Sequence, residues 1–426
     1  MCIKKVSHFL LFLFFTSSLI SQEIKKGPVY NYARQIVDTL ASESMHGRGY
    51  VNGGDSIAAN YLRSEFNKFG LKSFTGDYYQ RFSFPVNTFP GSMSLNVDGK
   101  ELAPGKDYIA FHWNPTASGK YATVLADDKL VQNKRKFKKF RRQNFSNKII
   151  IVNDTGKQTT ELYDLLGNSL NAKAIISLQN KLTWSVAQKQ NDRSLFEVVR
   201  TSIHDPKEIS FDVEAEILPA HKTQNVIGYV QGSEYPDSFI VYTAHYDHLG
   251  QMGDKTYFPG ANDNASGCAM LLNLAKYYSS PEHHPNYSIV FIAFCGEEVG
   301  LLGSNYYCEH PLFPMKNIRF LLNMDIMGTG EEGITVVNGT LFKKEFDKLK
   351  EINTQNNYIK DVKIRGKAAN SDHYFFSEKG VRACFMYTMG GIKAYHDIYD
   401  RAETLPLNEF ENLYKLITDF GDYLQH

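Results

Sequence analysis

The chain has 426 residues, with 47 Lys and Arg against 46 Asp and Glu, a formal net charge of +1. So balanced a charge gives no electrostatic reason to expect a nucleic-acid partner. The length exceeds one ordinary domain and suffices to bury a large core without disulfide support.

Residues 1–21 read as a cleavable signal peptide. Lys4 and Lys5 precede an apolar run from Phe9 to Ile20, and Ser21 is a suitable last residue before cleavage. The run is shorter than the ~20 residues needed to span a bilayer, so the mature chain is expected to be secreted or periplasmic, with no transmembrane segment. Cleavage takes away two lysines and no acids, which shifts the formal charge from 47 − 46 = +1 to 45 − 46 = −1. Of the cysteines beyond this segment, Cys268 and Cys295 lie in apolar runs and read as small buried thiols; no disulfide is assigned to these or to Cys308 and Cys384.

Helices are expected over 28–44 and 55–69, the second carrying Ile57, Tyr61, Leu62, Phe66 and Phe69 near helical spacing. Between them His46-Gly47-Arg48 is either a substrate contact or, more simply, a turn with a solvated arginine. Residues 79–85 read as a strand. From about 86 to 220 the texture changes to short β-like runs (SMSLNV, YATVLA, KIIIVN, AKAIISL, ISFDVEAEI) without clustered ligand-type residues, which reads as a β-rich insert. Within it, the basic run from Lys134 to Arg142 carries Phe137 and Phe140 three apart and reads as the solvated face of a helix. The sequons at Asn144, Asn153 and Asn264 have meaning only in a glycosylating host.

Strand-like runs resume with NVIGYV and SFIVYTAH, then a helix over 265–278, a strand over 287–294, a helix from Glu298 to Tyr307, and a strand over 320–326. A helix over 341–353, a strand over 382–389 and an amphipathic closing helix over 407–424 complete the chain. Alternating strands and helices point to an α/β fold with a mainly parallel sheet.

The chemistry concentrates between Thr243 and Ser304, in TAHYDHLG, PGANDNASG and CGEEVGLLGS. His245, Asp247, Asp263, Glu297 and Glu298 stand where the backbone leaves apolar runs, and the carboxyl ends of strands are where open α/β sheets bind ligands. Imidazole with carboxylates suits zinc and its transition-series neighbours. Adjacent Glu297 and Glu298 diverge, so one is expected to bind metal and the other to move protons. Asp247, two residues after His245 on an extended chain, can hold that imidazole from behind. Asp325 ends the run FLLNMD, and His396 lies in KAYHDIYD. His245, Asp263, Glu298, Asp325 and His396 make five ligands, enough for two ions if one carboxylate bridges. His248 receives no role. Ser371-Asp372-His373 is either a helix cap or part of a substrate pocket.

These motifs resemble the secreted di-zinc exopeptidases, the family of bacterial leucine aminopeptidases, glutamate carboxypeptidase, the transferrin receptor ectodomain and animal glutaminyl cyclase. The likeness runs in order through AHYDHLG, GANDNASG, GEEVGLLGS, NMDIMG and YHDIYD, and extends to LASESMHGRGYVNGGDSIAANYLRSEFNKFGL. It implies a three-layer α/β/α sandwich and two zinc ions. His245 and Asp325 would hold one, Glu298 and His396 the other, and Asp263 would bridge. It implies Glu297 as general base, Asp247 as the aspartate behind the ligand, a cis Asp263–Asn264 bond, and Tyr395 as a residue that steadies an oxyanion. The insert, through KIIIVN, a helix and AKAIISL, resembles a protease-associated module. The implied activity is hydrolysis of the N-terminal peptide bond of peptide substrates by a metal-bridged water. Cyclase, carboxypeptidase or dipeptidase activity, or an inactive binding protein, are the alternatives, and oligomeric state is not legible.

Overall fold

The computed structural model describes residues 26–156 and 159–426. The expected signal peptide lies outside the described residues. Among the described residues no helix is long and apolar enough to cross a membrane.

Helix α1 (Pro28–Leu40) buries Ala33, Ile36, Val37 and Leu40, the stripe its spacing dictates. It ends four residues earlier than the sequence suggests, and a short turn of helix, Glu43–Arg48, follows. Next come α2 (Gly54–Lys68) and β1 (Tyr79–Thr88), which runs on past Pro85 through a register shift between Phe84 and Val86.

A second sheet then forms from β2 (Met93–Val97), β3 (Lys100–Glu101), β4 (Tyr108–Ala110), β5 (Ala117–Asp127), β6 (Lys148–Asn153), β7 (Ala174–Gln179), β8 (Ser194–Val199) and β9 (Glu208–Val213). Its order is β3-β2-β9-β5-β6-β7-β8-β4. The middle strands β5 to β8 are parallel. Helices α3 (Asp128–Gln132), α4 (Lys134–Phe140) and α5 (Thr160–Leu166) pack on one face over Ile150, Val152 and Ile175. The sheet is therefore more α/β in character than the short β-like runs suggest, because the helices between its strands are only five to seven residues long. In α4 Phe137 and Phe140 point inward and the basic residues outward. The expected insert boundaries move inward: Val86, Asn87 and Thr88 pair with Leu218, Ile217 and Glu216 in the main sheet.

The main sheet continues with β10 (Glu216–Val230) and β11 (Tyr235–His245). After a two-residue pair, β12 (Gln251–Met252) and β13 (Thr256–Tyr257), come α6 (Gly267–Tyr278), β14 (Tyr287–Phe294), α7 (Leu302–Glu309), β15 (Ile318–Met324), β16 (Ile334–Val337), α8 (Lys343–Asn356), β17 (Val362–Ile364), α9 (His373–Glu378), β18 (Ala383–Thr388) and α10 (Phe410–Leu424). The order is β1-β10-β14-β11-β15-β18-β16-β17, with β14, β11, β15 and β18 parallel at the centre. Successive residues of β11 serve opposite faces. Ile240, Tyr242 and Ala244 pack with α1, α2, α6, α8 and α10, while Phe239 and Val241 pack with Tyr307, Cys308 and Phe376 of α7 and α9. This is a three-layer α/β/α sandwich, and its doubly covered central strands explain their unbroken apolar runs.

One local expectation fails, and two short strands carry no signal in the sequence. Residues 298–301 do not start a helix: Gly296, Gly300 and Leu301 all have positive φ, so the chain turns before α7 begins at Leu302. Strands β16 and β17, four and three residues long, are too short to leave a periodic signal.

Candidate metal centre

Three parallel strands deliver the site at one edge of the sheet. His245 is the last residue of β11, Asp325 follows Met324 at the end of β15, and Glu297 and Glu298 lie just beyond β14. Asp263 comes from the wide turn Ala261–Ser266 that feeds α6, and His396 from the loop after β18. The turn is entered through Gly260 at φ 58°, where a Cβ would lie 2.3 Å from the Asp263 carbonyl oxygen and 2.4 Å from the His248 ring. Only glycine fits there. The Asp263–Asn264 peptide bond is cis.

The five expected ligands converge. Asp263 sets Oδ1 3.3 Å from His245 Nε2 and Oδ2 3.1 Å from His396 Nε2. Asp325 Oδ1 is 3.3 Å from His245 Nε2, and Glu298 Oε2 is 3.1 Å from His396 Nε2. Two donor clusters thus share one carboxylate. Ligands bound at the usual ~2.0–2.1 Å in a tetrahedral zinc site stand about 3.3 Å from one another, which is the spacing here.

The hydrogen positions sharpen the fit. His245 Nδ1 lies 3.1 Å from the Asp247 main-chain oxygen, and His396 Nδ1 lies 3.0 Å from the Trp184 main-chain oxygen. A carbonyl only accepts, so each Nδ1 carries a hydrogen and each Nε2 faces carboxylate oxygens. Such a contact needs either a second proton on the imidazole or a cation between the groups. Burial alone would lower the His396 pKa, but Glu298 and Asp263 outweigh it and push it up to about 11. His245 is raised likewise against its burial, by Asp325 and Glu297. A dication can displace both protons. The donor set fits two zinc ions.

Asp247 departs from expectation. Its carboxylate is 3.8 Å from His245 Nδ1, too far for a hydrogen bond, and the imidazole takes the main-chain oxygen of the same residue instead. The carboxylate accepts from Tyr50 Oη at 2.7 Å and from the Glu297 and Glu298 amides at 3.2 and 3.4 Å, so it clamps the turn that carries both glutamates. Glu297 offers an oxygen within 4.8 Å of donor atoms of both His245 and Asp325. Burial, reinforced by Glu298, Asp325 and Asp372 against the pull of His245, holds its carboxyl well above the usual range. Tyr395 is 43% exposed, and its ring stacks on His396 at 4.0 Å, open to whatever enters the site.

Several residues enter that the sequence left without a role. His248, fully buried, places Nδ1 2.7 Å from Glu298 Oε1, so the two glutamate oxygens are divided between two histidines. Asp400 accepts from the Asn262 and Asp263 amides at 2.9–3.1 Å and fixes the bridging turn. Ser371 donates to Asp325 Oδ2 at 2.9 Å, accepts from Asn323 at 2.7 Å, and Asn323 accepts from Thr243 at 2.6 Å. Asp372 makes no capping bond to α9, so the cap reading of Ser371-Asp372-His373 does not hold, and the serine steadies the expected ligand Asp325. Arg48 is neither solvated nor a substrate contact. It is 0% exposed and donates to the main-chain oxygens of Leu40, Tyr246, Pro259, Gly260 and Asp263. Cys268, Cys295, Cys308 and Cys384 are buried, unpaired thiols.

Residues 225–421 match the model of Peptidase family M28. That segment belongs to peptidase family M28. Similar curated proteins include a probable zinc metalloprotease of Leptosphaeria maculans, 31% identical over 176 residues, 39% of this chain and 40% of that protein. Aminopeptidase YwaD of Bacillus subtilis is 32% identical over 169 residues, 38% of this chain and 35% of that protein. The aligned parts span less than half the length of these relatives. Among solved structures, BSAP, a zinc aminopeptidase from Bacillus subtilis, superposes with a TM-score of 0.68 at 20% identity, covering 92% of this chain and 94% of that one. The M28 segment carries all five ligands of the candidate centre, and the shared fold extends over the second sheet.

Proposed function

We propose that this chain is a zinc-dependent aminopeptidase that hydrolyses the N-terminal peptide bond of peptides. The observation that carries the reading is the division of Asp263, one oxygen facing His245 and the other His396, each beside a further carboxylate. His245, Asp325 and Asp263 would hold one zinc ion; His396, Glu298 and Asp263 the other. Bound zinc supplies the Lewis acidity that acidifies a water and polarises a carbonyl.

The protein's own groups do the rest. Glu297, held above the usual carboxylate range and kept in place through its amide by Asp247, takes the proton of the attacking water and returns it to the leaving amine. A free α-amine finds acceptors at this site, where Asp263 with Glu298, and Glu297 with Asp325, each stand beside His245. The family segment and the likeness to an aminopeptidase over 38% of the chain support this choice. The charged start and apolar run of residues 1–21 support export of the chain to meet peptides outside the cytosol.

The test is a panel of aminoacyl-amides, free dipeptides and N-blocked peptides, assayed with and without chelator and with zinc restored. Turnover of free-amine substrates alone, abolished by chelator and recovered with zinc, is the expected result. Cleavage of N-blocked peptides would point to a carboxypeptidase, and turnover of free dipeptides without aminoacyl-amides to a dipeptidase. Release of ammonia from N-terminal glutamine would point to a cyclase, and no turnover to a binding protein.

A further inference from the structure

The two metal histidines are held by different parts of the molecule. His245 gives its Nδ1 hydrogen to an oxygen two residues away, on the loop that leaves its own strand. His396 gives its hydrogen to the main-chain oxygen of Trp184, 212 positions away in sequence, in the connection between β7 and β8 of the second sheet. The contact is reciprocal, for the Trp184 amide donates to the His396 carbonyl at 2.9 Å.

This connection is built in firmly. Trp184 is 4% exposed, its Nε1 donates to the Ala110 carbonyl at 2.8 Å, and its ring stacks at 4.6 Å on Phe258, two residues before Gly260. On one flank Lys181 Nζ reaches the Lys393 carbonyl at 3.0 Å and Asp397 at 3.1 Å, on either side of His396. On the other, Gln188 donates to the Val299 carbonyl at 2.8 Å, next to Glu298. Both ligands private to the second cluster are thus bracketed by the same connection, whereas the structure records no such bond from it to His245 or Asp325.

We infer that the β7–β8 connection of the second sheet is a working part of the metal centre, with Trp184 a positioning residue that fixes His396 for the ion shared with Glu298. An imidazole with its Nδ1 hydrogen anchored presents Nε2 in one tautomer and one orientation. Losing such an anchor typically weakens a metal site ten- to hundred-fold. The second sheet, on this account, does not merely cover the site. Its docking and the occupancy of one ion are linked, and the other ion is independent of it.

The inference rests on the two-ion reading above, and the test separates them. Zinc per full-length chain is measured after equilibration against graded chelator, for wild type, Trp184→Ala, Trp184→Phe and Lys181→Met. Wild type is expected to hold two ions. Trp184→Ala keeps the main-chain oxygen but removes the side-chain contacts with Ala110 and Phe258 that place it, and should release one of the two ions at up to ten- to hundred-fold lower chelator strength while the other is unchanged. Trp184→Phe keeps the stack on Phe258 and should recover most of the loss. Lys181→Met alters a half-exposed side chain, does not threaten folding, and should shift the same ion to a smaller degree. A purely structural role for the connection predicts parallel release of both ions. That result, or no shift in either Trp184→Ala or Lys181→Met, overturns the inference while leaving two-ion binding intact. Fewer than two ions in wild type overturns the two-ion reading and the inference together.

Discussion

Ser371 donates its hydroxyl hydrogen to Oδ2 of Asp325, which leaves Oδ1 as the oxygen that faces His245. The serine is itself fixed by Asn323, whose amide is anchored on Thr243 in the neighbouring strand. A carboxylate at a strand end has two free torsions, and this chain of hydrogen bonds removes them. Ser371→Ala should lower affinity for the ion at His245 and Asp325 by about ten- to hundred-fold, with little change in the unfolding midpoint. Chelator competition on the intact chain checks this. The ion lost should not be the one lost in Trp184→Ala, so the double variant should lose both.

Arg48 shows what a buried cation does when no carboxylate pairs with it directly. Its guanidinium satisfies five main-chain oxygens drawn from α1, the loop after β11 and the turn before Asp263. Arg48→Lys keeps the charge, but an ammonium is a point donor that cannot span acceptors spread over three segments. Several buried carbonyls would be left unpaired at about 1–3 kcal/mol each. The variant should unfold at markedly lower denaturant, by about 3 kcal/mol or more on the same scale, and lose zinc as the PGAND turn relaxes. An unfolding midpoint equal to wild type would show that the five bonds are dispensable.

Three of the candidate ligands were legible because they stand where an apolar strand ends, so that His245, Glu298 and Asp325 break a hydrophobic run at the sheet edge, whereas Asp263 and His396 lie in a turn and a loop. The groups that aim them were much less so. Trp184, Arg48 and the Asp247 main chain all act through carbonyl oxygens, which every residue has and no sequence pattern marks. His248 was visible within TAHYDHLG, yet its contact with Glu298 depends on how the loop after β11 folds back. The turn at Glu298 was misread as helix because left-handed Leu301 gives no compositional signal, while Gly296 and Gly300 were in plain view. The insert boundaries near Val86 and Ala220 were set too wide because β1 and β10 carry on pairing beyond their apolar stretches.

Glu197 on β8 gives a pH dependence located away from the metals. Its side chain is only partly covered, yet burial raises its pKa to about 7. Because the folded value lies above the unfolded one, the folded chain binds this proton more tightly. The contribution is therefore neutral below about pH 4.5, turns unfavourable as pH rises through the folded value, and levels off above it. The shift corresponds to at most about 3 kcal/mol. Glu197→Gln removes the titration. Its midpoint should match wild type near pH 4.5 and exceed it above pH 7, with the gap opening between. Denaturant melts at pH 5 and pH 8 provide the comparison, and an equal gap at both would refute the assignment.

Glu297 and Glu298 are neighbours on one turn and should fail differently. Glu298 divides its oxygens between His396 and His248, in the place of a ligand. Glu298→Ala should lower zinc content and rate together. Glu297 stands beside His245 and Asp325, and its amide is held by Asp247. Glu297→Gln preserves its size and much of its hydrogen bonding but removes the basic oxygen. Zinc content should stay at the wild-type level while kcat falls by about 10²–10⁴, the usual worth of general acid–base catalysis. A group that acts only in the transition state should leave KM nearly unchanged, where KM reports binding. The pair is decided by zinc per chain and kcat on one aminoacyl-amide, measured for both variants. If Glu297→Gln loses zinc it is a ligand, and if it turns over normally it is a bystander beside one; only retained metal with a collapsed kcat fits the base.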